Sequence, residues 1–300
     1  MFLVTPSTFL LVGLVGFMSS RNNVVEMSSR VPEGMSDWLD SPVLMCVSVV
    51  DAEFCIELRK RHRICGNSAR EGDYELVAPD SDERVCFPTF IKGERPFFYA
   101  YEYFFSQLNV TFPFTAFETD LLWSCNIAPS QLHPNSWGFI KIFQLLCREL
   151  DVTPSHTLFL YLFVSAKPGG SSKKKASWVS FRSAQGHKVF AMYDESFKDF
   201  KNYFFRVCAV EGARPFFLDE NDEPSFPLEW QQDVRVSWFT WEMLDEVERA
   251  FVVVLEELWG EPPHLDTKRF LNDPSLVRTV LGTCLSCLLY LFLNFFFPLL

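Results

Sequence analysis

The chain has 300 residues, of which 48% are hydrophobic and 22% charged, and it contains 33 phenylalanines. These values exclude a chain that is disordered throughout, because so many aromatic side chains must be buried in a core or an interface. The formal net charge of −11 argues against indiscriminate nucleic-acid binding, since phosphate groups repel an acidic protein.

Both ends of the chain are more apolar than its middle. Residues 1–30 form an apolar extension that lacks the basic start of a secretory signal. Residues 279–300 carry no charge, and as a helix they would extend about 33 Å, enough to cross a bilayer. We therefore predict a single globular domain over 31–260, a linker over 261–278 and a C-terminal apolar helix, with a tail that folds back on the body, or a misread frame, as alternatives.

The first elements of the globular part are predicted to be helical. From Pro42, apolar residues recur every three or four positions as far as Leu58. The cations that follow, Arg59, Lys60, Arg61 and Arg63, suit the negative end of the helix dipole. The pattern indicates one amphipathic helix.

Loops, one strand and two further helices are expected next. Residues 66–96 are rich in turns and charges and contain one short strand near Glu75 to Val77. The aromatic run that follows predicts a short helix before Pro113. A longer helix is expected over Phe114 to Ser124, with Leu121, Leu122 and Trp123 packed inward.

The stretch NIAPSQLHPNSWGFIKIF, residues 126–143, places polar side chains and prolines before an apolar run. Ser130 or Asn135 can accept hydrogen bonds at a helix start, and Pro134 suits a first turn because it has no N–H to leave unpaired. The apolar face of this helix begins at Phe139. His133 is a candidate base or metal ligand, but no partner lies at triad or metal-site spacing, so we predict a structural histidine.

Three segments after Pro154 predict an antiparallel β-meander. Residues 156–166, HTLFLYLFVSA, are apolar on both faces, as in a buried strand, and ASWVSFRS and HKVFAMY alternate apolar with polar residues. A short helix over Ser196 to Tyr203 and a buried strand FFRVCAV follow. The predicted fold class is α+β, with this meander packed against amphipathic helices.

An acidic, proline-rich arm and one more helix complete the domain. Residues 212–230 are expected to lie extended over the body. A helix over Thr240 to Trp259 then has apolar residues at helical spacing. Its predicted inward face is Met243, Leu244, Val247, Phe251, Val254, Leu255 and Leu258.

Charge is distributed unevenly along the chain. Residues 167–206 hold nine cations and three acids, a net +6, and residues 211–261 hold 14 acids and three arginines, a net −11. A basic face could contact a nucleic-acid strand, with Trp178, Phe181 and Tyr193 available for stacking. Its candidate contacts are Lys173, Lys174, Lys175, Arg182 and Lys188. The favoured alternative is that the acidic arm covers and neutralises the basic sheet.

The nine cysteines occur singly in mostly apolar surroundings and do not form a disulfide pattern. Cys284 and Cys287 make a C-x-x-C within the uncharged tail, without the nearby cations that a redox site needs. We predict reduced thiols in an intracellular protein that binds no metal and no cofactor.

Four stretches carry a family resemblance: NIAPSQLHPNSWGFIKIFQLLCREL, FLYLFVSAK, WVSFRS and SFKDFKNYFFRV. Over about 31–260 they resemble the gypsy-type transposon domain, also called the plant transposon protein domain, of plant retroelement-derived reading frames. The most specific string is Pro129, Ser130, Gln131, Leu132, His133, Pro134, Asn135, Ser136 and Trp137.

The resemblance implies a Gag-associated part of an element rather than its polymerase, integrase or protease, and it supplies no catalytic residue. The coiled coil and zinc knuckle of a complete Gag-like polyprotein are missing, and the apolar tail stands in their place. This implies a truncated copy of an element, or a frame that continues into non-coding sequence.

Three functions follow from these observations. The favoured one is a non-enzymatic structural or interaction domain that self-associates. The second is a transposase or nuclease whose carboxylates hold a divalent metal ion. Its candidate ligands are Asp194, Glu195 and Asp199, or Asp219, Glu220 and Asp222. The third is a tail-anchored membrane protein that spans the bilayer through residues 279–300.

Overall fold

The computed structural model describes residues 32–66, 72–89, 95–166, 175–184, 199–235 and 239–258, with 272, 273 and 275. Helices and antiparallel strands are both present in these residues, so the predicted α+β class is confirmed. The helices are α1 (Met35–Trp38), α2 (Ser41–Leu44), α3 (Ala52–Arg61), α4 (Tyr103–Ser106), α5 (Ala116–Cys125), α6 (Pro134–Glu149), α7 (His156–Leu162) and α8 (Glu246–Leu258). The strands are β1 (Tyr74–Val77), β2 (Phe97–Tyr101), β3 (Phe163–Ala166), β4 (Ser180–Ser183) and β5 (Phe204–Ala209).

The single helix predicted from Pro42 to Leu58 is wrong, because α2 and α3 are separated by extended chain. Ser48 Oγ donates to the Phe204 carbonyl (2.6 Å) and the Val49 amide donates to the Asn202 carbonyl (2.8 Å). These bonds tie the segment to the start of β5 and hold it extended. A new helix starts after Asp51, whose side chain caps α3 by accepting from the Phe54 amide (2.8 Å).

Helix α5 lies within one residue or two of its predicted bounds. Thr115 and Glu118 form a reciprocal capping box at its start. Leu121 and Leu122 are buried as predicted, but Trp123 is 55% exposed. The inward packing predicted for Trp123 is wrong because three consecutive helical residues cover about 200° and cannot share one face.

A three-stranded antiparallel sheet has the order β1-β5-β2. The predicted strand near Glu75 and the predicted buried strand FFRVCAV are confirmed as β1 and the central β5. Strand β2 is new, since the sequence placed only a helix in its aromatic run. It pairs with β5 in a register that sets Phe97 opposite Cys208 and Tyr101 opposite Phe204.

The predicted meander is confirmed only for the antiparallel pair β3 and β4. Residues 156–162 form α7 rather than a strand, since Ser155 Oγ caps a helix by accepting from the Leu158 amide (3.0 Å). Only β3 continues as a strand, antiparallel to β4. The third strand, HKVFAMY, lies outside the described residues. The helix over Ser196 to Tyr203 is seen as a 3-10 turn, Phe200–Asn202, in its described part.

The acidic arm packs over the body as predicted. Phe217 and Phe226 are buried and lie 5.3 and 5.5 Å, between ring centroids, from Phe98 of β2. The expected neutralisation of the basic sheet by this arm is not what the described ion pairs show. Arg206 pairs with Asp80 and Glu83, which precede the arm.

Helix α8 buries a different face from the one predicted. Leu244, Phe251 and Leu255 are buried as expected, but Met243 and Val247 are 57% and 53% exposed. The buried face is turned toward Val252 and Glu248, because Glu248 accepts hydrogen bonds from the Asp245 amide (3.0 Å) and the Ser155 hydroxyl. These partners allow a carboxylate to be buried.

The C-terminal apolar helix expected over 279–300 lies outside the described residues. Within the described ranges, the helices are all too short or too polar to span a bilayer.

Candidate functional site

The specific string of the sequence forms the approach to α6. Pro129–Gln131 is a 3-10 turn, and α6 begins at Pro134, so the predicted helix start is confirmed. The capping residue is His133, whose Nδ1 accepts from the Asn135 amide (3.2 Å), rather than Ser130 or Asn135. Hydroxyl and amide side chains are the common caps, which favoured Ser130 and Asn135, and His133 departs from that preference.

Gln131 links this turn to the acidic arm. Its side chain is fully buried. Its Oε1 accepts from the Gln231 amide (3.0 Å) and its Nε2 donates to the Gln231 carbonyl (2.8 Å). One side-chain amide therefore satisfies both backbone groups of a residue 100 positions later in the chain, as a neighbouring strand would.

Ser130 connects two other parts of the fold. Its hydroxyl accepts from the Trp230 indole N–H (3.1 Å), and its carbonyl accepts from the Tyr101 hydroxyl (3.1 Å). The Tyr101 oxygen in turn accepts from Trp178 Nε1 (2.9 Å). The arm, strand β2 and the segment before β4 thus meet at one buried serine.

Ser136 and His133 hold the chain that leads into β4. Ser136 Oγ accepts from the Phe181 amide (2.8 Å). The Val179 carbonyl accepts from the His133 amide (2.9 Å), and the Val179 amide donates to the Gln131 carbonyl (2.8 Å). Leu132 and Val179 form an isolated parallel bridge. We call Ser130, Gln131, His133, Ser136 and Trp137 the motif hub.

Trp137 is the apolar centre of the motif hub. It is 0% exposed, and its ring centroid lies 4.8 Å from that of Phe104 and 5.4 Å from that of Phe114. Its Nε1 donates to the Pro129 carbonyl (3.2 Å). The indole therefore fills the core and also satisfies a backbone group of the preceding turn.

His133 is placed for capping rather than for proton transfer. Its ring lies 5.3 Å from that of Phe200, and burial, with a smaller contribution from Lys201, lowers its pKa to about 4. The imidazole is consequently neutral near pH 7, as its role as an acceptor at a helix start requires. In the part of the chain that is described, His, Cys, Asp and Glu do not cluster in threes that could hold a metal ion.

Acidification is expected to destabilise the fold through His133. Its folded pKa lies below its ordinary value of 6.5, so the stability it contributes is present above pH 6.5 and is lost as the pH falls toward 4. At about 1.4 kcal/mol for each unit of pKa, the loss is about 1–3 kcal/mol. Urea denaturation at pH 7 and pH 4 measures it. His133→Asn is the control because asparagine caps without titrating, and an equal loss in both proteins would contradict this assignment.

The carboxylates nominated as metal ligands do not converge in the described residues. Asp219 Oδ1 accepts from the amides of Asn221 (2.8 Å) and Glu223 (3.0 Å), and these bonds lower its pKa. Glu220 and Asp222 are exposed in the same turn. Asp199 is exposed before the Phe200–Asn202 turn, and 194 and 195 lie outside the described residues. The Asp219 cluster stabilises a turn.

Of the candidate nucleic-acid contacts, the structure describes Lys175 and Arg182. Lys175 Nζ donates to the Ser36 carbonyl (2.6 Å), and Arg182 is exposed on β4. Lys173, Lys174 and Lys188 lie outside the described residues, as does Tyr193. Trp178 and Phe181 are buried, so their faces do not offer the stacking surface that was predicted.

Sequence reasoning missed a buried ionic cluster beside the three-stranded sheet. Glu83 is 7% exposed and accepts from Arg206 Nε (2.8 Å) and from the Tyr99 hydroxyl. Arg206 also donates to Asp80 (2.8 Å). Burial raises the pKa of Tyr99, and the hydrogen bonds that Arg206 donates to Glu83 raise the pKa of Arg206. Glu83 and Arg206 are 123 residues apart, so local spacing gave no signal.

Comparison with family models gives a match within the central part of the chain. Residues 95–167 match the model of a family described as "Putative gypsy type transposon". The search of curated proteins and the search of solved structures gave no match. The matched range runs from β2 to β3 and contains the whole motif hub. The resemblance to the gypsy-type transposon family is therefore confirmed for this segment of the chain.

Proposed function

We propose that the chain is a non-enzymatic structural and interaction domain of a retrotransposon, Gag-like in role, that acts by self-association. The observation that carries the proposal is the motif hub. Its polar side chains hydrogen-bond to backbone groups and aromatic N–H groups inside the fold. Catalytic sites instead direct such groups toward a cleft that a substrate can enter.

Exposed apolar side chains favour an interaction role. Large hydrophobic residues on a surface mark contact sites when they occur in groups, and Trp and Met are enriched at protein interfaces. The exposed set in the described residues includes Met45, Val49, Ile56, Trp123, Tyr203, Trp241, Met243 and Val247. Trp241, Met243 and Val247 are close in the chain, in the 3-10 turn before α8 and in its first turn.

The same proposal places the protein inside the cell and gives nucleic acid a secondary role. The cysteines of the described residues are buried thiols, and burial raises the pKa of Cys125 to about 12. Such thiols are stable in a reducing compartment.

Lys175 and Arg182 remain candidate phosphate contacts, opposed by the net charge of the whole chain.

Light scattering after size exclusion tests the proposal on the full chain, with and without single-stranded nucleic acid. We expect a mass that increases with protein concentration and does not require nucleic acid. A mass that stays that of a monomer at all concentrations would contradict the proposal. So would cleavage of the nucleic acid in the presence of divalent cations, which would indicate an enzyme.

A further inference from the structure

An exposed apolar patch lies at the start of α8 and is bordered by acids. Trp241, Met243 and Val247 are 37%, 57% and 53% exposed. Glu242 and Glu246, on the same short segment, are also exposed. We call these five residues the acidic surface. Tryptophan and methionine combined with one sign of charge are typical of a contact site for an oppositely charged partner.

The acidic surface is held in a fixed shape by the fold. Arg249 donates to the backbone carbonyls of Trp241 (3.1 Å) and Glu242 (3.0 Å), and its guanidinium lies 6.0 Å from the centroid of the Trp241 ring. The Tyr161 ring also lies close to this segment, 6.3 Å from the Trp241 ring between centroids. The guanidinium keeps its charge, but Glu242, Asp245 and Glu246 are all exposed and outnumber this one cation, so the segment is net negative.

A complementary surface lies on α3. Ile56 is 55% exposed and lies one turn before Lys60, so the two side chains share one stripe of the helix. Arg59, Lys60 and Arg61 form the last turn, and the side chains of Lys60 and Arg61 are 65% and 72% exposed. Lys60 and Arg61 both pair with Glu57, so these two cations share one acid. We call Ile56, Arg59, Lys60 and Arg61 the basic surface.

We infer that the acidic surface of one copy of this chain binds the basic surface of a second copy. This inference rests on the proposed self-association and names the surfaces that perform it. Each surface offers exposed apolar side chains beside charges of one sign, and the signs are opposite, so contact buries both apolar patches and pairs the charges. Acidic surface against acidic surface would bring like charges together.

The two surfaces are different, so the contact is heterologous. Each copy that has bound one neighbour still presents one unused surface to the next. Such contacts generate rings when the rotation between copies closes, and open chains when it does not. The inferred contact therefore gives a structural domain the means to assemble beyond a dimer.

Two complementary variants of the full chain test the inference. Met243→Ser/Val247→Ser disables the acidic surface, and Ile56→Ser/Lys60→Glu disables the basic surface. All four side chains are exposed, so the fold should be retained, as circular dichroism would confirm. Each variant alone should associate at least about tenfold more weakly than the wild type, because interface anchors are commonly worth that factor. An equal mixture should form a heterodimer and stop, since it contains one intact pair of surfaces.

Trp123→Ser is the matched control, because Trp123 is 55% exposed on α5 and belongs to neither surface. It should associate as the wild type does. A wild type that stays monomeric contradicts the proposed function itself. A wild type that associates while the mixture gives no heterodimer, or while both variants associate normally, overturns only the assigned surfaces. If a serine variant misfolds, the exposed charge reversals Glu246→Lys and Lys60→Glu are each measured alone; each should weaken association, and normal association of both would overturn the assigned surfaces.

Discussion

Replacing Trp137 by alanine is expected to lower the free energy of unfolding by about 3–5 kcal/mol. The indole is 0% exposed and packs between Phe104 and Phe114, so its removal leaves a cavity that the surrounding rings cannot fill. It also leaves the Pro129 carbonyl without its indole donor. Urea denaturation followed by circular dichroism measures the change as a lower midpoint.

Trp123→Ala provides the matched control for this prediction. The same chemical change is made at a tryptophan that is 55% exposed, and surface substitutions usually change stability by less than about 0.5 kcal/mol. Trp137→Phe should lie between the two because it keeps an aromatic ring and loses the hydrogen bond. Equal effects at positions 123 and 137 would show that the motif hub does not stabilise the fold.

Replacing Arg206 by methionine is expected to lower the free energy of unfolding by about 3 kcal/mol. Arg206 donates to Glu83 and Asp80, and Glu83 is 7% exposed. Methionine preserves the bulk of the side chain but leaves a buried carboxylate without its counter-charge, and breaking one half of a buried pair is strongly destabilising. Chemical denaturation at neutral pH measures the loss.

The double variant Glu83→Gln/Arg206→Met separates charge from packing. The double variant removes the carboxylate that Arg206→Met leaves without a counter-charge. The neutral amide of Gln at position 83 can still accept from the Tyr99 hydroxyl. Stability should therefore recover by about half or more of the loss. A double variant as unstable as the sum of its two single variants would contradict a direct pairing of Glu83 with Arg206.

Local sequence patterns predicted the elements whose stability is mainly local. Helix α6 has a proline in its first turn and apolar residues at helical spacing, and its face from Phe139 to Cys147 is buried as expected. The sequence predicts a strand in place of α7 because its three leucines and Phe159 are buried on several sides, which removes the helical alternation. Only the Ser155 cap distinguishes the two, and it is a short-range signal that also occurs in loops.

The sequence predicts the helix start within the motif hub but not the contacts that the hub makes with distant parts of the chain. The predicted start of α6 is confirmed, because prolines and capping side chains determine the conformation of the residues next to them. The partners of Gln131 and Ser130 lie 100 residues away, at Gln231 and Trp230. Spacing along a chain contains no information on such contacts. The burial of Glu248 likewise depends on a donor far away in the chain, the Ser155 hydroxyl.

The bond between Gln131 and Gln231 also has a consequence for shortened forms of this chain. A copy interrupted after residue 167 would still encode the segment that matches the family model, yet its product would lack the backbone at Gln231 and the chain at Phe181. The buried side chains of Gln131 and Ser136 would then lose these hydrogen-bond partners. A shortened chain could therefore still match the family model and yet be unable to fold.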